Sequence, residues 1–152
     1  MKKLATILAA AALLVSVSAF AADSNETKAT SKVEKSFQKD FSAADNISWN
    51  KSGNFYYAHF EMNNTSIEAA YNEDGVLVAT SREIAAKNLP LAVGIAIANK
   101  YSGYEVAKNG QEITVDGQTD YYINVGNDQQ VLKLKCTVNG DILVDKKTKL
   151  SK

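Results

Sequence analysis

The feature that most constrains this chain is a stretch that occurs twice. FYYAHFEMNNTSIEAAYNEDGVLV, Phe55 to Val78, aligns without a gap on DYYINVGNDQQVLKLKCTVNGDIL, Asp120 to Leu143. Tyr56, Ala58 and Phe60 fall on Tyr121, Ile123 and Val125. Ile67, Ala69 and Tyr71 fall on Leu132, Leu134 and Cys136, and Gly75 falls on Gly140. Each copy reads as three short strands joined by two turns, so the protein is one unit used twice.

Within each copy the side-chain period is two, as in a strand with one buried face. Pairing Phe60 with Ile67 sets Ala58 against Ala69 and Tyr56 against Tyr71, which gathers the apolar side chains on one face. Phe55, Tyr57, His59 and Glu61 then point the other way, with His59 opposite Glu68. The second copy sets Tyr122 opposite Lys135 and Asn124 opposite Lys133. Asp74-Gly75 and Asn139-Gly140 are hairpin turns, because these pairs tolerate positive φ. Whether Leu77 or Val78 faces inward stays open, since a bulge at the glycine would switch them.

Helical spacing precedes each copy. Val33, Phe37 and Phe41 recur every fourth residue, predicting a helix from Ser31 to Asp40, with Ser31 and Glu34 as a capping box. Asn46 to Lys51 reads as a strand around Trp49. Thr80 to Lys87 reads as a helix capped by Thr80 and Glu83. Pro90 interrupts it and opens another, with Val93, Ala96, Ile97 and Tyr101 on its apolar side. Tyr104 to Val115 reads as one long strand that can break at Asn109-Gly110, and Lys146 to Lys152 as a fraying end. The expected fold is α+β: a tandem repeat of helix plus four antiparallel strands, forming one sheet of about eight strands with helices on one face. Two separate four-stranded layers are the alternative. The expected division is a signal peptide at 1–21, a flexible stretch at 22–30, and a single domain at 31–147 with repeats 31–80 and 81–147.

Lys2 and Lys3, the apolar run Leu4 to Val17 and Ala19-Phe20-Ala21 together form a secretory signal peptide. Cleavage after Ala21 and a periplasmic location follow as expectations. Losing Lys2 and Lys3 from the 17 basic residues leaves a small excess of acid over the 17 acidic ones. That balance supplies no basic face for nucleic acid and no pull toward anionic lipid, so neither nucleic-acid binding nor membrane insertion after cleavage is expected. Cys136 is the only cysteine. It cannot form an internal disulfide, and its alignment with Tyr71 reads as a small buried apolar side chain.

No constellation identifies a reaction. His59 is the only histidine, and zinc needs three or four ligands. Neither a catalytic residue, a metal nor a cofactor is assigned. A hydrolase-type enzyme using His59 with Glu61 or Glu68 is one alternative, and a structural envelope protein another. The leading reading is a binding module for a protein or peptide partner in the periplasm. Its candidate contacts are Phe55, Tyr57, His59, Tyr122, Lys133 and Lys135 on an open sheet face, with Trp49 added although its facing is unresolved.

The order of motifs resembles a family. Ile47 to Trp49, Gly53 to Phe60, Ala69 to Leu77, Leu89-Pro90, Lys100 to Tyr104 and Tyr121 to Val125 are similar to the PepSY-like, β-lactamase-inhibitor-like proteins exported by Bacteroidetes-type bacteria. The resemblance implies the tandem helix-plus-four-strand fold and an exported, non-enzymatic protein. Two departures stand out. The family often has Phe-Pro near the end of its first helix, where this chain has Phe41-Ser42. The inhibitor that lends the family its name is stapled by disulfides, and here Cys136 stands alone.

Overall fold

The computed structural model describes residues 28–151. The expected signal peptide and residues 22–27 lie outside the described residues. The described chain forms a mostly antiparallel sheet of nine strands with two α-helices, the expected α+β class with one strand more than the eight or so expected. None of its helices is long and apolar enough to cross a membrane. It divides into two compact units. The first ends at Arg82 and also contains Thr114–Gly117; the second contains Glu83–Ile113 and the residues from Gln118 onward.

In the first unit α1 (Ser31–Asp40) packs on β1 (Asp45–Ser52), β2 (Phe55–Met62) and β3 (Thr65–Asn72), and β4 (Leu77–Ala85), which runs on past Arg82, pairs with β3. Thr30, not Ser31, caps α1: its Oγ1 accepts the Val33 N–H at 3.4 Å. Ala29 is buried in the core beside it, so the expected flexible stretch is already tied down at both residues. Val33 and Phe37 press onto Tyr56, Ala58, Phe60, Ala69 and Tyr71. The Phe37 ring lies 5.0 Å from Phe60 and 5.5 Å from Phe41, between centroids. Tyr71, fully buried, keeps its hydroxyl satisfied by donating to Asp40 Oδ2 at 2.9 Å.

The β2–β3 register is the one the apolar pattern demanded, from Phe60↔Ile67 to Tyr56↔Tyr71. Asn63 and Asn64 carry φ of 51° and 59°, the two positive values that a tight two-residue hairpin needs. Between β3 and β4 the register slips: Ala70 faces Ala79, yet Tyr71 faces Leu77. Val78 is the extra residue, and it is buried while Leu77 is exposed.

The helix expected at Thr80 to Lys87 does not form. β4 continues to Ala85, and only Ala86–Asn88 turns, as a single 3-10 turn. Thr80 pairs with Ala69 and Arg82 with Ile67. That ladder satisfies the backbone groups of β3, which a helix would leave bare, and it outweighs a local capping signal.

In the second unit α2 (Leu91–Lys100) begins just after Pro90. Its Val93 and Ile97 pack on Tyr121, Ile123, Val125, Leu132, Leu134 and Cys136. These come from β7 (Gln118–Gly126) and β8 (Gln130–Thr137). β9 (Ile142–Lys149) lies beyond β8 and runs through part of the expected fraying end. The expected long strand divides earlier than Asn109-Gly110, into β5 (Glu105–Val106) and β6 (Asn109–Val115). Ala107 still donates its N–H to the Asn124 carbonyl at 2.9 Å, so the chain holds to β7 across the break.

Candidate functional site

The expected contacts fall in both units and differ in burial. Trp49 pairs with Ala58 and therefore lies on the helix-facing side of its sheet. Its ring stands 5.2 Å from that of Phe37, edge to face, so it is a packing residue rather than a contact. Its facing follows an irregularity between Asp45 and Ser48, where Asn46 adopts φ 54°. Phe55 and Tyr57 do lie on the opposite face, but they are only 7% and 5% exposed in the full-length chain. An exposed anchor is thereby corrected to a buried side chain at both positions.

Tyr57 has a buried hydroxyl without a hydrogen-bond partner among the described residues. Burial first, and the Glu68 carboxylate second, push its phenol up to about 12. Beside it His59 Nε2 sits 2.9 Å from Glu68 Oε2, with side chains 36% and 9% exposed. The hydrogen bond to Glu68 holds the His59 pKa above its ordinary value, against the opposing pull of burial. Glu61 turns elsewhere, accepting from Asn46 Nδ2 at 2.9 Å. The imidazole thus has one acidic partner, which orients it and favours its protonated form.

Tyr122, Lys133 and Lys135 do come together in the second unit. Tyr122 faces Lys135 and Asn124 faces Lys133, as the register predicted. Lys133 Nζ lies 5.2 Å from the centre of the Tyr122 ring and Lys135 Nζ 6.0 Å. The half-buried phenol is therefore braced by two cations. Lys135 is also held 2.9 Å from Asp120 Oδ2, and that hydrogen bond is the leading cause raising its pKa. Lys133 differs: its cross-strand neighbour on β9 is Lys146. Burial is the leading cause lowering its pKa; the attraction of Asp145, which raises it, ranks above the repulsion of Lys146.

Sequence reasoning missed what adjoins this cluster. An open groove of about 550 Å³ is lined by Val106, Gly126, Val131 and Leu150, with Glu105 and Asp128 among its polar residues. Gly126 is the second-copy counterpart of Glu61, and a missing side chain at that strand position was the available signal. Gly126 faces Val131 across β7–β8, two residues along from the Asn124–Lys133 pair, so these two share the cluster's sheet face, whereas Val106 pairs with Val125 on the helix-facing side. Among the described residues no group of three His, Cys, Asp or Glu side chains is placed to hold a metal.

No family model and no curated protein matches the chain. Solved structures do. A BLIP-like protein from Bacteroides fragilis superimposes with a TM-score of 0.70 at 19% identity, covering 86% of this chain and 94% of its own. A candidate periplasmic protein from Bacteroides eggerthii gives 0.68 at 23%, covering 81% and 90%. A DUF2874 family protein from Bacteroides uniformis gives 0.67 at 24%, covering 80% and 90%. At these identities the likeness shows the fold, and it is the fold that the resemblance in sequence implied.

Proposed function

We propose that this chain, which shares its fold with BLIP-like and candidate periplasmic Bacteroides proteins, is an exported interaction module of the periplasm. On this reading it holds a protein or peptide partner and is not an enzyme. The observation that carries the proposal is Tyr122, a half-buried aromatic ring flanked by Lys133 and Lys135 on a strand pair of fixed register. Tyrosine brings a large amphipathic surface with few rotatable bonds, which is why it recurs at binding hot spots. Two β-strands hold it in place beforehand, so little ordering remains to be done on binding. The A-x-A signature at Ala19 to Ala21 supports export, and intact-mass analysis of periplasmic material should find a chain starting at Ala22.

The test immobilises wild type, Tyr122→Ala and His59→Ala, and passes periplasmic extract over each. A protein retained by wild type and His59→Ala, and lost with Tyr122→Ala, is the expected result. Equal retention by all three would remove the role of Tyr122. Hydrolysis lost only in His59→Ala would favour the enzyme.

A further inference from the structure

We propose that the face of the first unit's sheet opposite α1, centred on Phe55, Tyr57, Ala70 and Ala79, is a docking surface for the chain's own apolar run Leu4 to Val17, and that cleavage after Ala21 uncovers it. The inference goes beyond the proposed function and shares with it only the export signal.

Two strands of this unit are buried on both faces. Phe55, Tyr56, Tyr57 and Ala58 are buried in succession on β2, and Glu68, Ala69, Ala70 and Tyr71 on β3. Side chains alternate between the faces of a strand, so each face here needs a cover. α1 supplies one, over Tyr56, Ala58, Ala69 and Tyr71. On the other face Tyr57 pairs with Ala70 across β2–β3, and Ala70 with Ala79 across β3–β4. Ala70 is 0% and Ala79 3% exposed, yet neither they nor Phe55 and Tyr57 belong to the core under α1. α1 is the only α-helix among the described residues of this unit. An antiparallel sheet with a free face carries polar side chains there; this face carries aromatic rings and alanines.

The chain before Lys28 has the composition and the reach for the second cover. Leu4 to Val17 holds no charged residue and is dominated by Ala and Leu. Such small aliphatic side chains can approach closely where the sheet presents only Ala70 and Ala79. The ten residues between Val17 and Lys28 extend to about 33–36 Å, against about 10 Å for one packed layer and about 5 Å for each strand crossed. Glu68, buried on the same face, is held by His59 at 2.9 Å, so an uncharged cover leaves no carboxylate there unpaired. The Tyr57 hydroxyl marks the cover as removable. It is buried without a hydrogen-bond partner among the described residues. A permanent core satisfies such a group, whereas an apolar run that is later cut away leaves it orphaned only until water reaches it.

The test compares hydroxyl-radical footprints of the full-length chain before and after cutting by signal peptidase, read by peptide mass spectrometry. Oxidation of Phe55 and Tyr57 should rise severalfold on cleavage, while Phe37 and Tyr71 stay protected and Tyr122 keeps its rate. Leu8→Lys combined with Leu13→Lys in the uncut chain should raise Phe55 and Tyr57 in the same way, because the face offers a buried ammonium no partner. Equal oxidation of Phe55 and Tyr57 before and after cleavage, whether fast or slow, would overturn the inference. So would a rise that includes Phe37 and Tyr71, which would make the run part of the fold and not a removable cover. A chain that signal peptidase leaves uncut would remove the export reading and this inference together. An uncovered face with capture independent of Tyr122 would remove the role of Tyr122 and leave this inference standing.

Discussion

Gly75 and Gly140 do the same work in the two units: each lets a hairpin turn lie against the helix packed on that unit's strands. Their φ values are 74° and 88°. A Cβ on Gly75 would come 2.8 Å from Ser36 Oγ and 3.2 Å from the Lys32 carbonyl oxygen of α1. A Cβ on Gly140 would come 2.7 Å from the Ala92 carbonyl oxygen of α2. The repeat in sequence is thus a repeat in packing. Gly75→Ala is expected to cost about 1–2 kcal/mol from left-handed strain, since the Ser36 hydroxyl can rotate aside. Gly140→Ala meets backbone more closely, at 2.7 Å against 3.2 Å, and should cost more. Urea unfolding of the two variants checks the order, and equal midpoints would contradict it.

Cys136 occupies in β8 the place that Tyr71 occupies in β3; each faces a tyrosine on the preceding strand, Tyr121 and Tyr56 respectively. Both are fully buried. Burial pushes the thiol up to about 11, with Asp120 adding to it. At pH 8 Cys136 should therefore react slowly with a thiol reagent in the native protein and quickly in denaturant. Cys136→Ala should be mild, whereas Cys136→Asp places an uncompensated charge in the core and should cost more than about 3 kcal/mol. Rapid native labelling would show that the strand is not packed as described.

The His59–Glu68 pair predicts a pH dependence of definite sign. The folded pKa of His59 lies above its ordinary value of 6.5. The folded state then binds the proton more tightly than the unfolded state. The resulting stabilisation is fully present below 6.5 and is lost as pH rises through the folded value. With a third of the imidazole exposed, solvent screening limits it to about 0–1 kcal/mol. The stability lost in His59→Ala should accordingly be larger at pH 5.5 than at pH 8.5. A loss that does not change with pH would exclude the linkage.

What could be read from sequence followed from local periodicity. The β2–β3 and β7–β8 registers are fixed by which alternation buries Phe60, Tyr71, Ile123 and Leu134, and every such pair came out as expected. Non-local choices were not legible. Thr80 to Lys87 carries helix formers and a cap, and only the open edge of β3 makes it a strand. The facing of Trp49 turns on a backbone irregularity before Ser48, and that of Val78 on a bulge opposite Ala70 and Tyr71. The burial of Phe55 and Tyr57 is likewise outside the reach of alternation, which says which face a side chain takes but not whether that face meets water.

Four aromatic variants separate packing from recognition. Phe60→Ala empties a position 2% exposed, between the rings of Phe37 and Phe41, and should cost about 3–5 kcal/mol. Trp49→Ala removes the edge contact to Phe37 and should lower stability without touching partner capture. Tyr57→Phe deletes a buried hydroxyl that has no partner among the described residues; removing an unsatisfied polar atom should leave stability unchanged or raise it. Tyr122→Ala should do the reverse of Trp49→Ala, weakening partner binding by about 1 kcal/mol or more while melting changes little. Melting curves and retention from periplasmic extract, measured side by side, give a two-by-two outcome. Trp49→Ala losing capture at intact stability would return that side chain to the binding surface, and Tyr122→Ala losing only stability would make the braced tyrosine one more packing residue.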